Sequence, residues 1–495
     1  MKSIRQFLTI QVALGSIIAV SALPADLPVD SIVPEVSALA SQRSGFESPY
    51  INTEYNDEWH QYSSVAQSSD QAEPRWWQRF EDPLLDSLIE VGLLRNPDVV
   101  MAAKRIEIAK AAVGSATAGY YPSINLGLGY DRTRSSGMIV PPGSSATTTS
   151  AFSGSVSMSW EVDVFGRIRE QVKNRKASVQ VSRAERAGVK VSLEAQIATA
   201  YINLRVSQAQ LEVAQIHSQS QSKVLKIAEA RFEAGLASML DVDQARVVYY
   251  NTVAMVPMLE NTVHTQINAI SVLLGEAPDA LYSLLEQPRP LPGYIQVVAA
   301  GVPADLLRRR PDVVQAEEQI GVEATALGIA KKDWLPRLTI DGSVGTQAHS
   351  LKDLGNHNAF TYSIAPTLSW TVFDGLARKY NITAARKQME VAIDNYNLTV
   401  LNAFQETDNA LSTYFATLKY IRLLDDLVSS SRDYDRLSID QYKNGLTAFL
   451  NVANAQMSYL ENQNTLIQAQ GRALTALIDL YRALGGGWSD VDLRN

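Results

Sequence analysis

The chain contains two copies of one unit, and this repeat restricts the possible folds more than any other feature of the sequence. The Pro-Asp-Val-Val segment at 97–100 recurs at 311–314, 214 positions later. Trp160 recurs as Trp370, 210 positions later. Because the two spacings differ by four, the first copy is four residues longer in the stretch that leads to Trp160. We therefore expect a fold built from two equivalent halves.

Each copy contains two segments in which apolar and polar residues alternate strictly. They lie near 123–131 and 151–160 in the first copy and near 337–346 and 360–370 in the second, with the apolar residues at even numbers. Such alternation is typical of β-strands with two different faces. The polar face is mostly Ser, Thr, Gly and Asn, which suits a water-filled lumen better than the surface of a soluble sheet, the alternative for any single strand. Aromatic residues near the strand ends are candidates for a girdle at the membrane surface: Tyr121, Tyr130, Phe152, Trp160, Phe360, Tyr362 and Trp370.

A long helical hairpin is predicted after each strand pair, at 168–274 and at 376–484. Between Ile168 and Ala234 the chain has no proline and one glycine, and 67 residues in a helix span ~100 Å. A helix of this length needs neighbours along it. Apolar and small residues seven apart predict a supercoiled seam: Ile197, Leu204, Leu211, Ser218, Leu225 and Phe232, with a second row at Leu193, Ala200, Ser207 and Ala214.

Each hairpin turns at a glycine, Gly235 in the first copy and Gly445 in the second. A glycine just after the last helical residue is typical of a helix end, because it adopts the left-handed conformation freely. The returning helix of the first copy contains Pro257, which predicts a kink. The two turns lie farthest from the strands, so we expect them to form tips that contact a partner protein. The expected contact residues are Gly235, Leu236, Ala237, Gly445, Leu446 and Thr447.

The strand count predicts an oligomer. Four strands cannot close a barrel, and an open sheet edge in lipid leaves backbone groups without hydrogen bonds. Two chains supply eight strands, a barrel typically filled by its own side chains, whereas three supply twelve and leave room for a channel. We therefore expect a homotrimer.

The composition excludes several classes of protein. A net charge of −8 argues against a nucleic-acid partner, because such proteins concentrate Lys and Arg. The absence of cysteine excludes disulfides and thiol chemistry. No catalytic motif is present, so we expect neither an enzyme nor a cofactor. Of the five histidines, His349 and His357 are close enough in sequence to share a metal ion, but water-facing loop histidines are the favoured interpretation.

The N-terminal segment 1–22 is predicted to be an export signal. Lys2 and Arg5 precede an apolar run, and small residues follow near Ala22, as a signal peptidase requires. We assign 23–75 as an N-terminal leader and 489–495 as a tail. A secreted coiled-coil adhesin is the main alternative, since it would share the export signal and the heptads. Such a protein has no need of serine-faced strands that end in aromatic residues.

Five specific motifs occur in order between Arg75 and Trp488. They are Trp76-Trp77-Gln78 with Phe80, Asp82-Pro83 and Leu84-Leu85-Asp86; the segment 160–167; Gly235-Leu236-Ala237-Ser238 with Asp241-Val242; the linker 303–312; and the closing segment 483–488. In this set and order the chain resembles the TolC-like outer-membrane components of resistance-nodulation-division efflux pumps.

The resemblance implies a mixed α and β fold with two tandem repeats, 76–300 and 301–488. Three copies would close a twelve-stranded β-barrel in the outer membrane on an α-helical barrel in the periplasm. The implied partners are outer-membrane lipid, a periplasmic adaptor and an inner-membrane transporter, and the implied function is that of an exit duct. Many members carry a lipidated cysteine after the signal peptide. This chain has none, so we expect the barrel alone to anchor it.

The resemblance also implies a gate at the start of the returning helices, where the family has rings of one leucine and of aspartates. The matching positions are Leu450, Asn451 and Asn454, so both aspartate positions are asparagine here. In the first copy the corresponding residue is Asp241, with Asp243 nearby. We expect any negative ring to come from that copy and closure to depend on apolar contact at Leu450. The alternative is that Leu450 fills a helix seam.

Overall fold

A computed structural model describes residues 75–138, 145–293 and 310–488, which all belong to one compact unit, Tyr50–Asn495. The predicted export signal, nearly all of the leader, the tail and residues 303–309 of the linker motif lie outside the described residues. The helices are α1 (Pro83–Arg95), α2 (Pro97–Ala118), α3 (Arg167–Glu233), α4 (Met239–Leu273), α5 (Tyr282–Leu285), α6 (Pro311–Lys332), α7 (Ala377–Lys443) and α8 (Phe449–Ala483), with 3₁₀ turns at Trp76–Phe80, Leu351–Gly355 and His357–Ala359.

The helix starts follow from local chemistry. Proline occupies the first position of α1, α2 and α6, where its missing N–H is not needed. The side chains of Asp82 and Asn96 accept hydrogen bonds from the first free N–H groups of α1 and α2. Asp163 does the same for α3, through Ile168 and Arg169 at 2.9 Å each. This carboxylate therefore caps a helix.

Four antiparallel strands form one sheet in the order β1-β2-β3-β4. In every pairing an even-numbered residue lies opposite another even-numbered residue; Leu126 pairs with Val156, Val156 with Val344 and Val344 with Tyr362. Because side chains alternate along a strand, this parity puts all the large apolar side chains on one face and most of the Ser, Gly and Thr residues on the other. The bounds are β1 (Ser123–Arg134), β2 (Thr148–Val162), β3 (Arg337–Ala348) and β4 (Phe360–Ser369).

Three strands are longer than the alternation predicted. The β1–β2 ladder continues through Thr133 and Thr149, and Ser135 N–H donates to the carbonyl of Thr147 at 3.0 Å. Backbone pairing does not need apolar side chains, so part of the polar segment between the two predicted strands is also strand.

The first hairpin is α3–α4 and the second is α7–α8, with α3 also packed on α8. The predicted seam along α3 is correct at Ile197, Leu204 and Ala214, which are fully buried, whereas Phe232 at the tip is 43% exposed in the single protomer. The helix also buries His217, Gln221, Val224 and Ala228. Two of these residues are polar, so an apolar pattern does not mark them.

A core of aromatic side chains joins the two hairpins. Trp76 stacks on Tyr481 of α8 with ring centroids 5.4 Å apart. Tyr201 of α3 is fully buried and donates to Asp82, while Arg205 donates to the Tyr201 hydroxyl at 3.2 Å. Burial, with the bond to Asp82 second, raises the pKa of Tyr201 to about 12, so the phenol remains a donor. Within the described residues, no helix combines the length and apolar character needed to cross a membrane.

Candidate functional site

The turns at the ends of the two long helices have the same geometry. Gly235 and Gly445 adopt φ of 72° and 73°, a left-handed conformation that glycine accepts without strain. Leu236 N–H donates to Arg231 O at 2.8 Å, and Leu446 N–H donates to Gln441 O at 2.9 Å. These bonds are those of a Schellman motif, which ends a helix and reverses the chain. Each predicted tip therefore forms through bonds among residues that are close together in the sequence.

Two side chains join the tips of the hairpins to each other. Arg231 of α3 donates to the carbonyl of Lys443, at the end of α7, at 2.8 Å. That carbonyl lies in the last helical turn, where backbone acceptors have no partner within the helix and a cation is favourable. In the opposite direction, the Tyr442 hydroxyl of α7 donates to Asp241 of α4 at 3.1 Å. Each repeat thus supplies a donor to the other.

Tyr442 is the centre of this cluster, which we call the tip latch (Arg231, Asp241, Tyr442). Its side chain is 2% exposed, and the Arg231 guanidinium lies 5.0 Å from the ring centroid. Phe449 packs edge-on against the same ring, with centroids 5.2 Å apart. Burial first, and then the charge of Asp241, raises the pKa of Tyr442 to about 12. The hydroxyl is therefore neutral at physiological pH and remains a donor to Asp241.

The predicted gate residues do not form one cluster. Asp241 belongs to the tip latch, whereas Asp243 lies 3.3 Å from Arg246 on its own helix. Leu450 is 55% exposed, so it does not fill a seam within its own protomer. Asn451 and Asn454 are exposed on the same helix, and the Asn451 amide donates to Thr447 at 2.7 Å.

Arg231 and Tyr442 were not among the residues predicted from the sequence. A comparison of the two copies could have found them. Arg231 corresponds to Gln441, and Tyr442 corresponds to Phe232, 210 positions away. The two repeats therefore differ at the positions that contact across the tips.

The aromatic candidates lie at both ends of the sheet's apolar face. Tyr130 and Phe152 are directly paired, with ring centroids 4.7 Å apart. At the other end, Trp160 donates to the carbonyl of Tyr120 at 2.9 Å, and Trp370 donates to that of Trp334 at 3.1 Å. The two tryptophans thus make the same contact in both repeats. The remaining candidates are exposed at the surface: Tyr121 (70%), Phe360 (55%) and Tyr362 (75%).

His349 and His357 do not belong to a group of metal-ligating side chains in the described residues. His349 Nδ1 lies 2.8 Å from the carbonyl oxygen of Ser150. Across the described ranges, no group of three or more His, Cys, Asp or Glu side chains could hold a metal ion.

The model of the outer membrane efflux protein family matches this chain in two segments, 88–276 and 302–486. Together they cover well over half of the sequence. The chain belongs to the outer membrane efflux protein family. Efflux and an outer-membrane location, both expected from the sequence, are confirmed, and the alternative of a secreted adhesin is wrong.

Individual relatives of this outer membrane efflux protein align with most of its length. The solvent efflux pump outer membrane protein SrpC of Pseudomonas putida is 29% identical, over 84% of this chain and 88% of its own length. Nodulation protein T of Rhizobium leguminosarum bv. trifolii is 26% identical, over 86% and 91%. The solved outer-membrane channel OprN superposes with a TM-score of 0.81 and 28% identity, over 90% of this chain and 99% of OprN. The TolC-like fold is confirmed, and none of these names describes an enzyme.

Proposed function

We propose that three copies of this chain form the exit duct of a tripartite efflux system. The observation that carries the proposal is the sheet, which is apolar on its even-numbered face and lined by Ser, Gly and Thr on the other. Within the described protomer, β1 and β4 pair on one side only. Joining β4 of one copy to β1 of the next satisfies both edges, and three copies give twelve strands around a wet lumen.

The tip latch supports a gate at the far end of the helices. An open tube would make the outer membrane leak, so the resting duct must be closed. Arg231 and the Tyr442–Asp241 bond hold the two hairpins of a protomer together at their tips. Opening requires the hairpins to separate there, and Leu450, with Asn451 and Asn454, narrows the resting tip.

The tips are also the proposed contact with a periplasmic adaptor, which links the duct to an inner-membrane transporter of the resistance-nodulation-division class. Leu236 and Leu446 are 68% and 76% exposed. A Schellman motif commonly packs this leucine on its own helix, so two exposed leucines at equivalent tips favour a partner surface. Outer-membrane lipid is the partner of the apolar sheet face, with the aromatic residues at its borders.

Purified full-length protein in detergent and in planar bilayers tests this function. We expect a particle of three chains that resists dissociation and gives small, mostly closed conductances. A monomer with no conductance, released from membranes without detergent, would contradict the proposal. The family assignment alone does not fix the number of chains, so the mass measurement is the decisive one.

A further inference from the structure

A groove of ≈420 Å³ lies between α3, α4 and α8, about 20 Å from the tip along α3. Its volume is within the range of sites that hold small organic molecules. Thr252 and Met255 of α4 form one wall, and Met457 and Glu461 of α8 form the other. Gln221 of α3 lies between the walls and is 2% exposed.

Gln221 has hydrogen-bonding capacity that the described residues do not use. Neither its amide oxygen nor its amide nitrogen has a partner, and Oδ1 of Asn464, which also lines the groove, has none. Buried polar groups are usually paired, because burial removes their bonds to water. Both side chains therefore have hydrogen bonds available to a molecule in the groove.

The repeat shows that the fold does not need this glutamine. The equivalent residue in the second copy, 210 positions later, is Ser431, which is also buried. Its hydroxyl donates to the carbonyl of Val428 in its own helix at 3.1 Å, so it leaves no unpaired group. Gln221 thus presents unpaired amide atoms at a position where the second repeat has a paired hydroxyl.

The charge in the groove is negative. Among the described residues that line the groove, Glu461 is the only one with a charged side chain, and it is exposed. Met255 and Met457, which are 41% and 53% exposed, provide soft apolar surface that adapts to a flat or branched hydrocarbon. A carboxylate and amides beside methionines suit a cation with an apolar body.

We propose that this groove binds an amphipathic organic monocation that carries N–H donors. The cationic end pairs with Glu461 and donates to the Gln221 and Asn464 oxygens, while the apolar body covers the two methionines. The site differs from the tip latch in position and in chemistry, and it does not depend on gating.

Binding of ethidium to the purified full-length protein, followed by fluorescence anisotropy, tests the site. Glu461→Gln removes the charge and is expected to weaken binding about tenfold, which corresponds to ~1.4 kcal/mol. Glu260→Gln, the matched control on an exposed acid of α4 outside the groove, leaves affinity unchanged. Gln221→Ser installs the residue of the second repeat and is expected to weaken binding about threefold with an unchanged melting temperature.

A further variant tests the groove by filling its volume. Asn251 lines the groove and is exposed, so Asn251→Trp fills the space while leaving the seam intact. We expect ethidium binding to be lost and the assembly to remain intact. The proposal is wrong if Asn251→Trp binds ethidium like the parent, or if Glu260→Gln weakens binding as much as Glu461→Gln. Conductance without ethidium is measured separately, so failure here is distinguishable from failure of the channel.

Discussion

At the scale of single residues, one tyrosine hydroxyl joins the two repeats at their tips. The Tyr442–Asp241 bond is charge-assisted, and such bonds contribute ~1.5–3 kcal/mol. The ring itself is held by Phe449 and by the Arg231 guanidinium. A substitution that removes only the hydroxyl leaves the ring packed. Such a substitution therefore tests the Tyr442–Asp241 bond without disturbing the fold.

Tyr442→Phe is expected to raise the open fraction of the channel in planar bilayers, because the ring stays packed while the bond to Asp241 is lost. Tyr434→Phe is the control, since that exposed hydroxyl makes only a 3.5 Å contact with the Asn451 carbonyl. Equal behaviour of the two variants would show that the latch does not hold the duct closed.

Leu450→Ser tests apolar closure at the neighbouring position. Because Leu450 is 55% exposed in the protomer, its replacement should not disturb the seam, and the melting temperature should be unchanged. We expect higher single-channel conductance and greater sensitivity of cells to bulky antibiotics. If Leu450→Ser conducts like the parent while Asp241→Ala opens the pore, the tip latch holds the duct closed and the leucine does not.

At the scale of elements, the sheet and the helix seam respond to charge in different ways. On the sheet, the register decides which face a residue occupies, and a charge on the apolar face must be desolvated in lipid. In the seam, a charge is tolerated only where water or a partner reaches it. Asp435 of α7 is an informative case, because its Oδ1 is buried and has no partner among the described residues.

Leu128→Arg and Ile364→Arg are expected to lower the unfolding free energy by ~2 to 4 kcal/mol each if the sites lie near the midplane of the membrane. Both side chains project from the apolar face and are 82% and 76% exposed in the protomer. Ser157→Arg on the opposite face should cost far less. Denaturant titration in detergent or lipid measures all three, and equal losses would indicate a soluble sheet.

Asp435→Asn is expected to stabilise the helices at pH 7.5 and to have a smaller effect at pH 5. Burial raises the pKa of Asp435 from 3.8 to about 6. A carboxyl with a raised pKa favours the folded state as the pH falls from about 6 toward 4, so its ionised form at pH 7.5 is the unfavourable one. Melting temperatures at the two pH values measure the difference. A variant that is less stable than the parent at pH 7.5 would show that the carboxylate has a partner.

At the scale of the whole molecule, the repeat gives the protein two different ends, one made of strand loops and the other of helix tips. The strands lead to the polar β1–β2 and β3–β4 loops at one end, and the long helices lead to the Gly235 and Gly445 tips at the other. The proposed orientation places the loops outside the cell and the tips in the periplasm.

Single cysteines test this orientation cleanly, because the chain has no cysteine of its own. Leu236→Cys and Leu446→Cys should crosslink to the adaptor and remain unlabelled by a membrane-impermeant maleimide in intact cells. Lys352→Cys, in the β3–β4 loop, should be labelled from outside. Labelling of Leu236→Cys in intact cells would invert the orientation.

Much of the architecture follows from sequence alone because it depends on local physics. Alternation with period two predicted all four strands and their faces, since side chains on a strand alternate whatever surrounds it. The glycines predicted both tips, because only a left-handed residue closes the Schellman motif at Gly235 and Gly445. The caps at Asn96 and Asp163 are also local, because each side chain accepts hydrogen bonds from free N–H groups a few residues later in the chain.

Only the tertiary structure decided which side chains meet between the repeats. Arg231 and Tyr442 are 211 positions apart, and their contact depends on the packing of α3 against the second hairpin, which no local pattern records. The polar seam residues His217 and Gln221 were missed for a related reason, because burial of a polar group is decided by its neighbours and not by its own hydrophobicity. The sequence determined the elements and their two-faced character through short-range sterics and periodicity, whereas the tip latch and the groove arise where long helices from both copies come together in space.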